Sequence, residues 1–536
     1  MPSSARNAGN AGTARAAQFV VVLAFVGSIA AACLRGFVFP PGASSIAREF
    51  RAPAPRPMRP LRGADWLQYP RAFDAWWSDA FGLRPTLIRW HNAVKLLGFG
   101  VSPTPELFVG PNQNLFTTTH DSLGVYRGTK PMSARELWVW RHVLNARRQW
   151  CQERNIAFVY AIAPNKETVY PERVAARLDR VGPTRLDQLS QYMHSQGDDW
   201  WLDLSETMQR AKRECASEGE VYYRLGTHWN ERGVLYAYRA LIDAVAQQLP
   251  GVRAQPREKF TLKESANQGD SWAGRLYLED VLKQEGLELS FDGHTQLQQL
   301  NPEQPQHTFA ERPDSGLPRA VVVHDSFGEL LRPILAEHFS RTTFLWSANF
   351  DPVLIERERP DVVIHLQVER ALAGFLPSLS PLDTPARLER EFEQSTTVLV
   401  DSRELERFEV DGGLTAVKRP DRSWDLVVDS EAHLLVPAFD VPRTGWVVFK
   451  IVIECPEPSE FVLEFLTLDQ REYFKKKDPR AWSKQGRSWR KPVTSGPNTL
   501  WIKLLVPDLW GPLRVDPSRV LGAYRLVILE GRAVPQ

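Results

Sequence analysis

Arg319-Ala-Val-Val-Val-His324-Asp325-Ser326-Phe-Gly-Glu-Leu-Leu331 is the stretch that decides the fold. Its first half is a continuous apolar run, as in a strand buried on both faces. A helix opens directly after it, so Ser326 falls on the turn between the two. A serine there lifts its Oγ above the sheet edge, and the N–H groups that follow can stabilise a developing oxyanion. The same local geometry also suits a plain helix N-cap. These residues alone leave both readings open.

Working outward, Ile156-Ala-Phe-Val-Tyr-Ala-Ile162, Phe344-Leu-Trp346 and Asp361-Val-Val-Ile364 are further buried strands, with a short one at Trp200 to Leu204. Helices lie between them: one opened by the capping box Ser133-Ala-Arg-Glu136 and running to about Arg154, one from about Thr184, one over Ser205 to Cys215, and one capped by Asn230 through Ala246. Strands alternating with helices predict an α/β domain with a parallel sheet flanked by helices. His228, in Gly226-Thr227-His228-Trp229-Asn230, stands just before the Asn230 helix and can reach the serine as a general base. A structural histidine is the other reading. Gly269-Asp270-Ser271-Trp272 is set aside as the nucleophile turn, because the polar Lys263-Glu-Ser-Ala-Asn-Gln268 before it cannot be a core strand.

Beyond about Thr396 the pattern changes to alternating β-rich runs, such as Trp446-Val-Val-Phe449 and Phe461-Val-Leu-Glu-Phe465, punctuated by Pro, Gly and Asp. They predict a β-sandwich or jelly roll. Trp482, Trp489 and Trp510 fall in polar, loop-like surroundings there, where an exposed indole can stack on a sugar ring. At the other end, residues 16–34 form an apolar segment preceded by Arg6 and Arg15, which reads as a signal anchor with residues 1–15 in the cytoplasm, or as a cleaved signal peptide. Either way the remainder is exported. Residues 35–65 are a Pro- and Arg-rich linker, 66–395 the α/β domain and 396–536 the β-domain. A chain of 536 residues accommodates several domains, and a net charge of +2 gives no reason to expect nucleic acid. The four cysteines include no CxxC pair, which argues against a zinc or thioredoxin-like site. Cys151 and Cys215 are left as a disulfide or as buried thiols.

Taken together, the parts resemble the permuted SGNH-like domain of alginate O-acetyltransferases and their relatives in exopolysaccharide acetylation. Val-Val-Val-His-Asp-Ser326-Phe resembles the first SGNH block, and Arg359-Pro-Asp-Val-Val-Ile-His365 the strand leading to the oxyanion block. His228 resembles the family's histidine and here precedes the serine. Tyr69 to Arg84, Val109-Gly110 with Leu115-Phe116, Ala163-Pro-Asn-Lys166 with Tyr170-Pro171-Glu172, and Val368-Glu-Arg370 also match, in the family's order. The resemblance implies an SGNH-like sheet and an exported O-acetyltransferase or acetylesterase, with Ser326 as nucleophile and His228 as base. It also implies a polysaccharide substrate, no metal or organic cofactor, and a multi-spanning membrane acyltransferase as possible acetyl donor. Asn165, Lys166, Gln367 and Arg370 are its substrate or oxyanion candidates.

Two departures follow. The family writes Asp-x-His, whereas this chain has Gly226-Thr227-His228. The carboxylate that orients the imidazole must come from elsewhere, Asp203 and Glu220 being candidates, or be missing. If it is missing, Gly226→Asp should raise turnover, and a catalytically degenerate glycan-binding or scaffolding protein is the alternative. No oxyanion Asn follows Ile364, where Gln367 is the nearest polar residue.

Overall fold

The computed structural model describes residues 18–27, 30, 52–60, 63–293, 295–312, 316–374, 376–377, 382–436, 446–467, 487–504, 509–517 and 520–534. The chain divides into two compact units. One comprises Met1–Met132, Cys151–Ala348 and Ile355–Phe375, and the other Ser133–Trp150, Asn349–Leu354 and Leu376–Gln536.

In the first unit, β1 (Leu107–Val109) and β2 (Leu115–Thr117) form a hairpin. The main sheet uses β3 (Ala157–Ala163) and β4 (Leu202–Asp203). A separate hairpin, β5 (Phe260–Glu264) with β6 (Leu287–Phe291), interrupts it in sequence. The main sheet continues with β7 (Gln298–Gln299), β8 (Thr308–Glu311), β9 (Arg319–His324), β10 (Arg341–Trp346) and β11 (Val362–Val368). Its spatial order is β4-β3-β11-β9-β10-β8-β7. The first five strands are parallel, as expected, but β8 and β7 add an antiparallel edge, so the sheet is mixed.

The long apolar runs of β3, β9 and β11 are buried almost throughout because helices cover both faces. Thr184 closes a capping box with Asp187 at the start of the helix Arg185–Ser195. The side chain of Asn230 accepts the N–H groups of Arg232 and Gly233 to open the helix Glu231–Ala246. That helix buries Val234, Leu241, Ile242 and Val245 in the main core. From β9 the chain steps to β10 on one side and then returns to β11 on the other. The carboxyl ends of β9 and β11 therefore flank a topological switch point, where open α/β sheets bind ligands.

The second unit is β-rich. Its strands are β12 (Thr397–Asp401), β13 (Glu409–Lys418), β14 (Trp424–Val436), β15 (Trp446–Cys455), β16 (Ser459–Thr467), β17 (Arg487–Val493), β18 (Gly496–Leu504), β19 (Leu509–Asp516) and β20 (Gly522–Val534). All their pairings are antiparallel. Alternate residues such as Phe449, Ile451, Phe461 and Leu463 fill one core. The last segment of the second unit begins at Leu376. The helix Pro385–Gln394 sets Leu388 and Phe392 against Val448 and Trp501 of the β-unit. The ring of Trp138, on the helix Ala134–Gln152, meets that of Trp446 at 5.3 Å. Trp489 is half-buried and leans on the core rather than standing free, while Trp482 and the Trp510 side chain lie outside the described residues.

Cys151, Cys215 and Cys455 are free and buried, so the Cys151–Cys215 disulfide does not form. Among the described residues no helix is long and apolar enough to cross a membrane. The expected anchor over residues 16–34 lies partly outside them; its described core, residues 18–27, is helical and exposed.

Candidate active site

Strand β9 ends at His324, and the chain turns at Asp325 into the short 3-10 helix Ser326–Leu331. Asp325 fixes this turn. One of its carboxylate oxygens accepts the Phe327 N–H at 2.9 Å and the other the Val368 N–H at 2.7 Å, tying the ends of β9 and β11 together. Burial raises the pKa of this carboxyl, and the two N–H donors partly offset the cost. The Ser326 N–H is left without a protein acceptor among the described residues, so it is free to donate to an oxyanion.

His228 approaches from the loop before the helix Glu231–Ala246. A bridge between Tyr222 and Trp229 pinches this loop, with Tyr223 N donating to His228 O and Asn230 N to Val221 O. The imidazole packs against the Phe327 ring at 4.8 Å. Its Nε2 lies 2.7 Å from Ser326 Oγ, and its Nδ1 lies 2.6 Å from Asp270 Oδ2. With the proton on Nδ1 donated to the carboxylate, Nε2 is free to accept the serine proton.

Asp270 was not among the acids expected to orient the ring. Its Oδ2 also accepts the N–H of Thr227 at 2.7 Å and of His228 at 3.2 Å. Burial alone would raise its pKa, but the bond to His228 and the two backbone donors outweigh it and lower the value to about 2. Its loop is strapped to the His228 loop by Trp272 N donating to Leu225 O at 2.9 Å, and by Gln284, which donates to Asp270 O and accepts from Leu225 N. The signal was present in the sequence in Gly269-Asp270-Ser271. That string supplies the acid, and Ser271 only lines the cleft, its Oγ accepting the Ala273 N–H at 3.2 Å.

Gly226 explains how an acid from another loop fits. A Cβ on this residue would lie 2.3 Å from Asp270 O and 2.5 Å from Asp270 Oδ2. The glycine is there for space, since its φ is not in the left-handed region. The two expected acids are placed elsewhere. Asp203 accepts from Ser190 Oγ and from the Ser205 N–H, and Glu220 pairs with Arg173 at 3.1 Å.

The remaining candidates divide. Arg370 lines the cleft and lies over the Phe327 ring at 5.4 Å. Asn165, at the carboxyl end of β3, is 1% exposed, and its Nδ2 finds no acceptor. Its backbone N–H donates to the buried Glu369, whose pKa burial raises to about 7. Strand β3 pairs with the far side of β11, so Asn165 stands at the carboxyl edge of the sheet. Gln367 points away, accepting from Tyr160 and donating to Ala348 O. Lys166 is buried under the hairpin, its Nζ donating to the carbonyls of Leu115, Arg224 and Gly226 and lying over the Phe116 ring. It holds the His228 loop rather than lining the cleft.

The cleft above Ser326 has a volume of about 670 Å³. Thr117, Thr119 and Trp272 line it, with the Arg275 guanidinium 4.4 Å from the Trp272 ring.

A serine, an imidazole and a carboxylate in hydrogen-bonded series at the carboxyl edge of this sheet make the first unit an SGNH hydrolase-like α/β domain. Residues 107–317 match the family model described as the SGNH hydrolase-like domain of the acetyltransferase AlgX. The matched span includes His228 and Asp270 and ends before Ser326. Among solved structures the chain is similar to the O-acetyltransferase domain of Pseudomonas putida AlgJ, at 20% identity, covering 54% of this chain and 98% of that one, with a TM-score of 0.35. It is also similar to Pseudomonas aeruginosa AlgX, at 13% identity, 84% and 99% coverage and a TM-score of 0.34. Bacillus cereus PatB1 matches at 14% identity, 50% and 98% coverage and a TM-score of 0.36. No curated protein sequence matches.

Proposed function

We propose that the chain is an exported O-acetyltransferase or acetylesterase that works on a polysaccharide through an acetyl-Ser326 intermediate. The observation that carries this reading is the series Ser326 Oγ, His228 Nε2, His228 Nδ1, Asp270 Oδ2, with contacts of 2.7 and 2.6 Å. In the first half-reaction His228 takes the Ser326 proton as Oγ attacks the acetyl carbonyl of the donor. Asp270 stabilises the imidazolium, and the Ser326 N–H receives the negative charge on the carbonyl oxygen. Collapse of the tetrahedral intermediate returns that proton to the departing group and leaves acetyl on Oγ. In the second half, a sugar hydroxyl (or water, in an esterase) loses its proton to His228 and attacks the acetyl-serine. Expulsion of Oγ takes the proton back and regenerates the serine.

Thr117, Thr119 and Trp272 give the cleft the hydroxyls and apolar surface that a sugar ring meets. The apolar segment over residues 16–34 supports export and membrane anchoring. A multi-spanning membrane acyltransferase then serves as the acetyl donor. The scaffolding alternative rested on Gly226, and Asp270 at the imidazole removes its reason. The test is incubation with an activated acetyl ester, followed by intact-mass and peptide mapping. An acetyl group trapped on Ser326, lost on adding a polysaccharide acceptor, supports the transferase. No adduct and no ester turnover in a folded chain would overturn the reading.

A further inference from the structure

The N-terminal part of the first unit presents apolar surface to solvent on a regular pattern. The helix Arg84–Ala93, continued by the π-helical turn Val94–Gly98, is amphipathic in the opposite sense to an ordinary surface helix. Its polar side faces the body of the unit. Arg89 donates to both carboxylate oxygens of Asp280 and to Tyr277 O, Asn92 donates to Leu276 O, and Leu96 joins a core cluster with Leu276 and Leu282. Leu87, Trp90, Val94 and Leu97, spaced three, four and three residues apart, form a single stripe on the outer side, all exposed, Trp90 at 65%. Phe99, 74% exposed, extends it.

The preceding helix, Gly63–Ala80, adds exposed Trp66 and Leu67. Its aromatic rings form a ladder, Trp66 to Tyr69 at 6.2 Å, Tyr69 to Phe73 at 6.0 Å and Phe73 to Trp77 at 6.3 Å. An apolar patch of this kind on a folded unit marks something that covers it.

We propose that this helical pair lies in the headgroup layer of an anionic lipid bilayer, with the Leu87–Trp90–Val94–Leu97 stripe and Trp66 facing the acyl chains. Two observations favour lipid over a protein partner. Trp and Tyr dominate the aromatic set, the residues that settle at membrane interfaces. Residues 48–95 also carry nine Arg or Lys against four Asp or Glu, a local excess absent from a chain whose net charge is only +2. The exposed apolar helix over residues 18–27 lies upstream in the same chain, so a membrane surface is within reach of the linker. The inference goes beyond the reaction proposed above and is independent of it. It rests on the chain reaching a membrane and specifies how the folded unit then sits on it.

The experiment uses the full chain in a Cys33→Ser background, the other three thiols being buried. An environment-sensitive NBD label is placed at Leu67→Cys or Phe99→Cys, with Val181→Cys, equally exposed but outside the pair, as reference. On phosphatidylcholine–phosphatidylglycerol vesicles, labels at 67 and 99 should shift to the blue and be quenched by shallow nitroxide lipids, and the label at 181 should not. Ser326→Ala should leave this unchanged. A chain that floats with the vesicles while the labels at 67 and 99 stay solvent-like would be anchored only by its N-terminus, and the proposal would fail. A shift seen in native membranes but not in pure lipid would assign the face to a protein partner and equally overturn it. A chain that does not float would refute membrane anchoring as well as this proposal.

Discussion

Replacing Gly226 by Ala adds one methyl group, and its cost can be worked from the structure. The new Cβ would lie 2.3 Å from Asp270 O and 2.5 Å from Asp270 Oδ2, where unstrained contacts begin near ~3.5 Å. Asp270 must therefore retreat by about 1 Å, and a displacement of that size at a catalytic centre costs on the order of 10²-fold. Removing the carboxylate altogether, by Asp270→Ala, should cost nearer ~10⁴-fold in turnover, or about 5 kcal/mol in the barrier. If Gly226 matters only through Asp270, the two effects will not multiply. The double variant should turn over an activated acetyl ester about as slowly as Asp270→Ala alone. Gly226→Asp, which the sequence suggested as a gain, should instead impair the enzyme, because its Cβ meets the same atoms and its charge repels Asp270. The assay is steady-state ester hydrolysis with thermal melts as a fold control. A Gly226→Ala enzyme within a few-fold of the parent, or singles whose losses multiply in the double, would refute the reasoning.

Ser326→Ala should abolish both the acetyl adduct and ester turnover with an unchanged melt, whereas Ser271→Ala should keep turnover within a few-fold of the parent. Lys166→Met leaves the Leu115 and Gly226 carbonyls without their buried donor, while Arg224 O keeps the Leu115 N–H. At ~1–3 kcal/mol for a buried group left unpaired, a loss of about 3 kcal/mol or more is expected in urea unfolding. Burial raises the Glu369 pKa to about 7 against about 4.3 in the unfolded chain, so the folded form holds its proton longer. Its contribution is greatest below the unfolded value and is lost as pH rises from about 4.3 through 7, up to about 4 kcal/mol in all. Glu369→Gln should flatten that part of the urea-midpoint profile, and an unchanged slope would assign it to another group. The depressed Asp270 works in the opposite sense, stabilising above its unfolded pKa of about 3.9 and losing that contribution only as pH falls through about 2.

What could be read from the sequence was what local physics determines. The apolar runs that became β3, β9, β10 and β11 are buried on both faces, so they carry a strand signal without reference to neighbours. Thr184 and Asn230 announce their helices through capping bonds made within three residues. Strands β7 and β8 escaped because the edge of a sheet is short and polar: Gln298 and Gln299 have no apolar pattern to read. In the second unit, Trp424–Val436 runs as one strand, β14, although its pairing with β13 shifts register between Val428 and Ala432 and leaves the polar residues there unpaired with β13. The helix at Ala134 was legible through its capping bonds, but its assignment to the β-unit was not. That depends on the encounter of Trp138 with Trp446, more than three hundred positions away.

Asp270 shows the same limit inside the site, and with a consequence for reading such sequences. A motif written Asp-x-His encodes one way of bringing a carboxylate oxygen to an imidazole Nδ1, namely from two residues upstream on the same loop. What the chemistry requires is only the oxygen at hydrogen-bond distance, ionised and held still. Asp270 Oδ2 meets those conditions from a different loop, at 2.6 Å from Nδ1, with the Thr227 and His228 N–H groups fixing it and lowering its pKa. The loop can approach only because position 226 has no side chain. A missing motif acid is therefore weak evidence of a dead site when the residue in its place is glycine. An Ala or Ser at position 226 would close the same space and argue the other way. Gly226 and Asp270 are one feature divided between two loops, and neither residue can be interpreted without the other.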